Sequence, residues 1–299
     1  MPSYRKTHRI IMAIALLTAC SCSNRKANEF QQLTQYIDLY QQTDNRGHLL
    51  IGANVPSGFV RLAPIQHTCG WDSCCGYHYP DSILTGFGHI NQTGAPSQKL
   101  ITFFPATDNR REYPFERKFE IAKPGYYSVW MPKADIAVEL TATTHAGMHR
   151  YFFPRTDQAR IVIELKQCIG CDNTAQGSII QENDSVVSGS IAGQQIYFTT
   201  IFAQPIRMFE STASGGKEMW FDMTTEDALY VKIGLSDVSI EQAKANLESE
   251  LRGWDFEETA ANAAKAWNEQ LNKERLESGD DKEKKAYYTA LFHSLTNKI

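Results

Sequence analysis

No dense block of lysine and arginine follows the first nine residues, so the chain lacks the concentrated positive surface that phosphate binding needs, and a nucleic-acid partner is not expected. The apolar run near the N-terminus, IIMAIALLTA at residues 10 to 19, is too short to span a bilayer. No internal repeat is evident. The pair Cys168-Ile-Gly-Cys171 has the spacing of redox and zinc sites, yet no second C-x-x-C or His-x-x-x-His accompanies it, and no metal site is expected in this chain. What is present suits a globular protein: 299 residues with 42% hydrophobic content can bury one large core or two moderate ones without staples.

Residues 1–19 read as an export signal, with Arg5, Lys6 and Arg9 ahead of the apolar run. Removing them takes the net charge from −4 to −7. The run ends in Leu17-Thr18-Ala19-Cys20, which is similar to the bacterial lipobox, in which the cysteine is diacylated and becomes the new N-terminus. Two or three acyl chains hold a soluble domain firmly at a membrane. Cys20 is therefore the expected lipidation site, residues 20–35 the tether, and the protein an exported bacterial lipoprotein of the periplasm or outer membrane. Without an acidic run, the tether leaves the membrane face open.

Once Cys20 is assigned to lipid and Cys22 to the tether, an odd set remains: Cys69, Cys74, Cys75, Cys168 and Cys171. At least one is a free thiol or pairs between chains. Cys69 bridging to Cys74 or Cys75, and Cys75 to Cys168 or Cys171, are all open, because geometry decides.

From about residue 48 to 235 short β-type runs alternate with turn signals, the pattern of an all-β sandwich. IAVELTA (136–142) places Ile136, Val138 and Leu140 on one face, with Glu139 and Thr141 on the other; RIVIEL (160–165) turns Ile161, Ile163 and Leu165 inward. LITFFP, YYSVWM, HRYFF, QIYFTTIF, IRMFE, EMWF and ALYVKI are further strands. The fold class is mainly β: two large antiparallel sheets face to face over residues 36–237. After Leu235 the period becomes helical. Ser239 and Gln242 form a capping box ahead of Ile240, Ala243, Leu247 and Leu251. A second helix starts at Asp255 and aligns Phe256, Ala260, Ala263, Trp267 and Leu271, which completes linker helices over 238–278. After the polar loop LESGDDKEK, a third helix within 279–299 aligns Tyr288, Leu291 and Leu295. Its apolar face needs a partner, so either it folds back on the sandwich or more chain follows.

The densest chemistry is in GWDSCCGYHYPDS (70–82). Together with GHLLIGANVPSGFVRLAP (47–64), its continuation to His89, PGYYSVWM (124–131), VELTATTHAGMHRYFFP (138–154), VSIEQAKANLESELRGWDF (238–256) and YYTALFHSL (287–295), it resembles, in this order, the N-terminal half of glycoside hydrolase family 92, exported bacterial enzymes that remove terminal α-linked mannose. The resemblance implies a sandwich joined by linker helices to an (α/α)6 barrel. It also implies an inverting reaction in which one carboxylic acid protonates the leaving oxygen and a second carboxylate activates water, about 6.5–9.5 Å apart. A calcium ion grips the mannose hydroxyls in the full-length family, consistent with hard oxygen ligands. Acid, base and calcium ligands lie in the barrel, of which this sequence reaches the first helix; no catalytic residue is assigned here, and no cofactor is expected in this chain.

By the same resemblance GWDSCCGYHYPDS is a loop on the sugar pocket. Trp71 is the aromatic ring for the sugar beside the cleaved mannose, and Asp72, His78, Tyr79 and His89 form a polar rim. The plain alternative is that Trp71 plugs the sandwich edge while Tyr77, His78 and Tyr79 form a buried strand. Cys74 stands at the family's cysteine position and Cys75 where a serine is usual. YIDLYQQT lacks the Pro and Gly of the family opening, His89-Ile90-Asn91-Gln92-Thr93-Gly94 replaces a His- and Gly-rich segment, and Ser57 replaces an aromatic. These departures sit on pocket-lining segments, so binding of a mannose-containing glycan is expected to be weak or lost. The leading expectation is the amino-terminal part of an α-mannosidase, truncated and catalytically silent alone. The alternative is a surface lipoprotein that binds mannose glycans without hydrolysing them. A cysteine-centred metal or redox protein, and a partner barrel encoded separately, are further readings.

Overall fold

The computed structural model describes residues 30–41, 43, 51–66, 77–89, 100–166, 175–193, 195–276 and 278–296. The chain divides into two compact units, Met1–Gln31 and Gln32–Ile299, and the elements below belong to the second. Its described strands are β1 (Ala53–Asn54), β2 (Arg61–Gln66), β3 (Ile83–His89), β4 (Leu100–Ala106), β5 (Tyr113–Pro114), β6 (Glu120–Lys123), β7 (Tyr126–Met131) and β8 (Ile136–Ala142). They continue with β9 (Ala146–Phe152), β10 (Ala159–Lys166), β11 (Gly177–Gln181), β12 (Val186–Ile191), β13 (Ile196–Phe202), β14 (Met208–Ser211), β15 (Lys217–Phe221) and β16 (Leu229–Ser236). Three helices follow: α1 (Ile240–Glu250), α2 (Phe256–Leu271) and α3 (Asp281–Thr296).

The strands form two antiparallel sheets. The first runs β1-β2-β3-β4-β10-β15-β14, with β5 beside β3; the second runs β11-β12-β13-β16-β9-β8-β7-β6. The expected sandwich is therefore present. Period-two alternation puts Tyr127, Val129 and Met131 of β7 and Leu229, Val231 and Ile233 of β16 into the core. Leu62, Phe87, Phe103, Ile161 and Ile163 belong to the same cluster.

The other face of β8 is covered as well: Glu139 and Thr141 are both buried. The helices cover the outer face of the second sheet: Leu247, Leu251 and Phe256 pack on Ala146 and Met148 of β9. The polar groups beneath are paired: Thr141 Oγ1 donates to the Gly125 carbonyl at 2.9 Å, and Glu139 accepts from Tyr126 Oη at 2.7 Å and Arg150 Nε at 2.6 Å. Gly125 is required at the β6–β7 turn because its φ is +82° and an added Cβ would lie 2.6 Å from Ala263 Cβ of α2.

The caps are where the residues placed them. Ser239 accepts from the Gln242 amide at 3.1 Å, and Asp255 from the Glu258 amide at 2.8 Å. α3 starts inside the stretch LESGDDKEK read as a polar loop, at a reciprocal box in which Asp280 accepts from the Glu283 amide while Glu283 accepts from the Asp280 amide. Its buried stripe is Tyr288, Thr289, Phe292 and Thr296, with Leu291 and Leu295 only half-buried. Phe292 is central because it packs on Trp267 of α2, ring centroids 4.3 Å apart, and Trp267 Nε1 donates to the Asn54 carbonyl at 2.7 Å. Tyr288 stacks on Tyr36 in the 3-10 turn Leu33–Tyr36, and Thr289 Oγ1 accepts from the Asp38 amide at 3.0 Å. α3 thus folds back on α2 and the start of the domain.

Candidate functional site

The segment GWDSCCGYHYPDS is described from Tyr77 onward. Trp71 and Asp72 lie outside the described residues, as do Cys20, Cys69, Cys74, Cys75, Cys168 and Cys171. Residues 77–82 form the leg that leads into β3, as a turn and not as the buried strand of the plain alternative. Tyr77 is buried, His78 half-buried, and Tyr79 is 40% exposed. A side chain does here what a neighbouring strand does in a sheet. The amide of Gln66, at the end of β2, accepts from the His78 backbone N–H at 2.5 Å and donates to the Asp81 carbonyl at 3.0 Å. The Tyr79 N–H donates to the Thr43 carbonyl at 3.1 Å, and its ring meets Tyr40 edge-on at 5.8 Å. His78 Nδ1 lies 3.4 Å from Asp81 Oδ1 without making a hydrogen bond.

Beneath the leg is an ion pair that the residue pattern did not single out. Arg117, in the 3-10 turn Arg117–Phe119, donates through Nε to the Tyr79 carbonyl at 2.8 Å and through Nη2 to the carbonyls of His78 (3.3 Å), Tyr79 and Asp81. Its Nη1 reaches Tyr77 Oη at 2.6 Å and Glu120 Oε2 at 2.9 Å. Phe115, Tyr79 and Tyr77 surround the guanidinium, their ring centroids 4.6, 4.9 and 5.0 Å from Cζ. Glu120 is sealed from solvent and fully used, accepting also from Tyr77 Oη at 2.8 Å and Tyr127 Oη at 2.6 Å. Burial, then the negative charge of Glu120, pushes both phenols well above the usual tyrosine range, so both stay protonated donors.

His89 does not join this group. It ends β3 at the far side from Ile83, six residue steps or about 20 Å along the strand. Rather than lining a rim it is sealed between the sheets, paired with Leu62 and Ile101 in register and packed against Phe103 with ring centroids 4.6 Å apart. Its partners dictate the proton positions. The Ile101 carbonyl, 2.9 Å from Nδ1, can only accept, so Nδ1 carries the proton. Burial pushes the ring down to about 4, so it is neutral and Nε2 is an acceptor. It accepts a hydrogen bond from His149 Nε2–H at 3.1 Å, which leaves His149 Nδ1 to accept from Tyr151 Oη at 2.7 Å. Burial and the neighbouring His89 hold His149 well below the usual histidine range. The result is a one-way chain of neutral hydrogen bonds, a structural device of the core with no access to a ligand.

Two of the five expected sugar-facing residues, His78 and Tyr79, are thus together on one framed leg, and His89 is elsewhere. Among the described residues no group of three or more His, Cys, Asp or Glu converges to hold an ion. The calcium implied for the full-length family therefore finds no ligand set in them.

Residues 36–248 match the glycosyl hydrolase family 92 N-terminal domain, and residues 242–298 match the glycosyl hydrolase family 92 catalytic domain. The chain belongs to glycoside hydrolase family 92. An uncharacterized secreted glycosidase of Arthroderma benhamiae is 22% identical over 339 residues, covering 94% of this chain and 44% of its own. A family 92 α-mannosidase of Bacteroides thetaiotaomicron superposes with a TM-score of 0.80 at 24% identity, covering 89% of this chain and 41% of that one. A family 92 inverting mannosidase of the same organism gives 0.75 at 20% identity, over 91% and 40%. At such identities the structural likeness is one of fold, and this chain spans less than half the length of each.

Proposed function

We propose that the sandwich is the glycan-facing wall of an exo-acting α-mannosidase of this family, with Trp71 and Tyr79 offering aromatic surface to the sugar and Asp72 and His78 polar groups to its hydroxyls. The family match over residues 36–248 carries this reading. It is supported by the leg of residues 77–82, whose backbone is held from beneath while the Tyr79 ring stays exposed. His89 is left out of the rim because it is sealed in the core. Inversion needs an acid and a base about 6.5–9.5 Å apart with a water between them, and in this reading these groups, with the calcium ligands, belong to barrel elements beyond those that residues 1–299 build. The 299-residue chain then binds mannosides weakly and does not hydrolyse them. Incubation of the purified chain with α-linked mannobiose and calcium is expected to release no mannose; sustained release would refute this assignment.

Export with lipidation at Cys20 is the matching location, supported by the lipobox-like residues 17–20 and by the secreted relative. Labelled palmitate is expected to enter the wild-type chain and not Cys20→Ala. Equal labelling of both would remove the anchor from the account.

A further inference from the structure

Among the described residues no strand pairs with the backbone of the leg of residues 77–82 that leads into β3, so its carbonyls take other donors. Gln66 serves the carbonyl of Asp81 and the Asp81 N–H that of His78, while one cation reaches both and that of Tyr79 as well. Arg117 binds the carbonyls of three residues within a span of four, His78, Tyr79 and Asp81, and takes Tyr79 through two nitrogens at once. The N–H groups of His78 and Tyr79 are held by Gln66 and Thr43, and that of Asp81 by the His78 carbonyl at 3.0 Å. What remains free on the leg is side chain, above all the Tyr79 ring, one face of which is stacked over the same guanidinium.

We infer that Arg117 is a positioning residue for the leg of residues 77–82: through the carbonyl oxygens of His78, Tyr79 and Asp81 it fixes where the His78 and Tyr79 side chains sit, without itself meeting the sugar. The inference rests on the reading of this segment as the glycan wall. Planarity is essential to the role. A guanidinium presents five N–H donors in one plane and can lie between aromatic rings, whereas a lysine ammonium is a point charge with three donors and no flat face. Glu120 supplies the counter-charge and, through Tyr127 of β7, ties the leg to the second sheet. The position of the leg is therefore referred to both sheets and not only to β3, into which it leads.

The test is amide hydrogen exchange on the full 299-residue chain, comparing wild type with Arg117→Lys and Arg117→Ala. In Arg117→Lys, exchange is expected to quicken by about tenfold or more at His78, Tyr79 and Asp81 while β13 and β16 keep wild-type protection. In Arg117→Ala, ethylguanidinium should restore protection at those amides and ethylammonium should not. Wild-type protection of the leg in Arg117→Lys, or an equal rise across β13 and β16, overturns the inference, since the first means that any cation serves and the second that the residue merely supports the fold. A parallel titration with methyl α-D-mannopyranoside separates the two levels. Arg117→Lys is expected to bind about tenfold more weakly, and wild-type affinity in it overturns the positioning role. Wild-type affinity in Trp71→Ala instead refutes the glycan-wall reading, leaving the exchange result to judge the clamp.

Discussion

The two ends of β3 carry the same residue type in opposite circumstances. At one end, His78 lies half-buried on a leg held by Gln66, Thr43 and Arg117, with Tyr79 exposed beside it. At the other, His89 is sealed between the sheets, its ring committed to Ile101 and His149. The first end spends its buried charge on the backbone and leaves side chains for a ligand; the second spends its side chains on one another. Histidine beside aromatic residues is compatible with either, and what separates them is where the hydrogen bonds go.

The largest effect that would break this contrast is expected at Glu120. Replacing it with Ala leaves Arg117 without its counter-charge and two buried phenols without an acceptor, and should cost about 3–5 kcal/mol in urea unfolding. The sealed end should respond less. His149→Leu removes the middle of the histidine chain, leaving His89 Nε2 and Tyr151 Oη unpaired, for about 1–3 kcal/mol.

Acidification sharpens the comparison because it acts on the sealed end. Above pH 6.5 the imidazoles are neutral in both folded and unfolded chains. Below it the unfolded chain takes up protons that folded His89 refuses until about pH 4, so stability falls across that window. Each such histidine contributes about 1.4 kcal/mol per pH unit, and His149, also held down by burial, adds in the same direction. His293 on α3, pushed down to about 4 by burial, does so as well. Urea midpoints from pH 7 to 4.5 should therefore drop, and less steeply in His149→Leu; a flat profile would show that these rings are not buried neutral.

The smallest effect on stability is expected from Tyr79→Ala, about 0.5–1 kcal/mol for the lost contact with Arg117. Its effect on mannoside binding should be the larger one, seen as a weaker titration at nearly unchanged urea midpoint.

Much of the scaffold was legible because it is written in local pattern. The alternation of YYSVWM and ALYVKI, and the caps at Ser239 and Asp255, need only neighbours within a few residues. What was missed depends on contacts from far along the chain. Alternation separates Glu139 and Thr141 from the core face of β8 but does not tell that α2 lies over that strand and leaves both buried. Phe292 outranks Leu291 and Leu295 because Trp267 is opposite it. Arg117 was invisible for a different reason: its main partners are backbone carbonyls 36 to 39 residues upstream, and a carbonyl leaves no mark in the residue pattern. The available signal was a charged FERKFE stretch with phenylalanine at both flanks of Arg117, which only indicates a cation near aromatic surface. His89 was drawn into the rim because its residue type says nothing of which end of a strand it occupies.

The most direct test is a hydrogen-exchange footprint of the wild-type chain with and without a high concentration of methyl α-D-mannopyranoside. The account predicts slower exchange at His78 and Tyr79, with the Ile101–His89–His149 end unchanged. Slowing confined to the β3–β4 end, or no slowing at the leg, would contradict it.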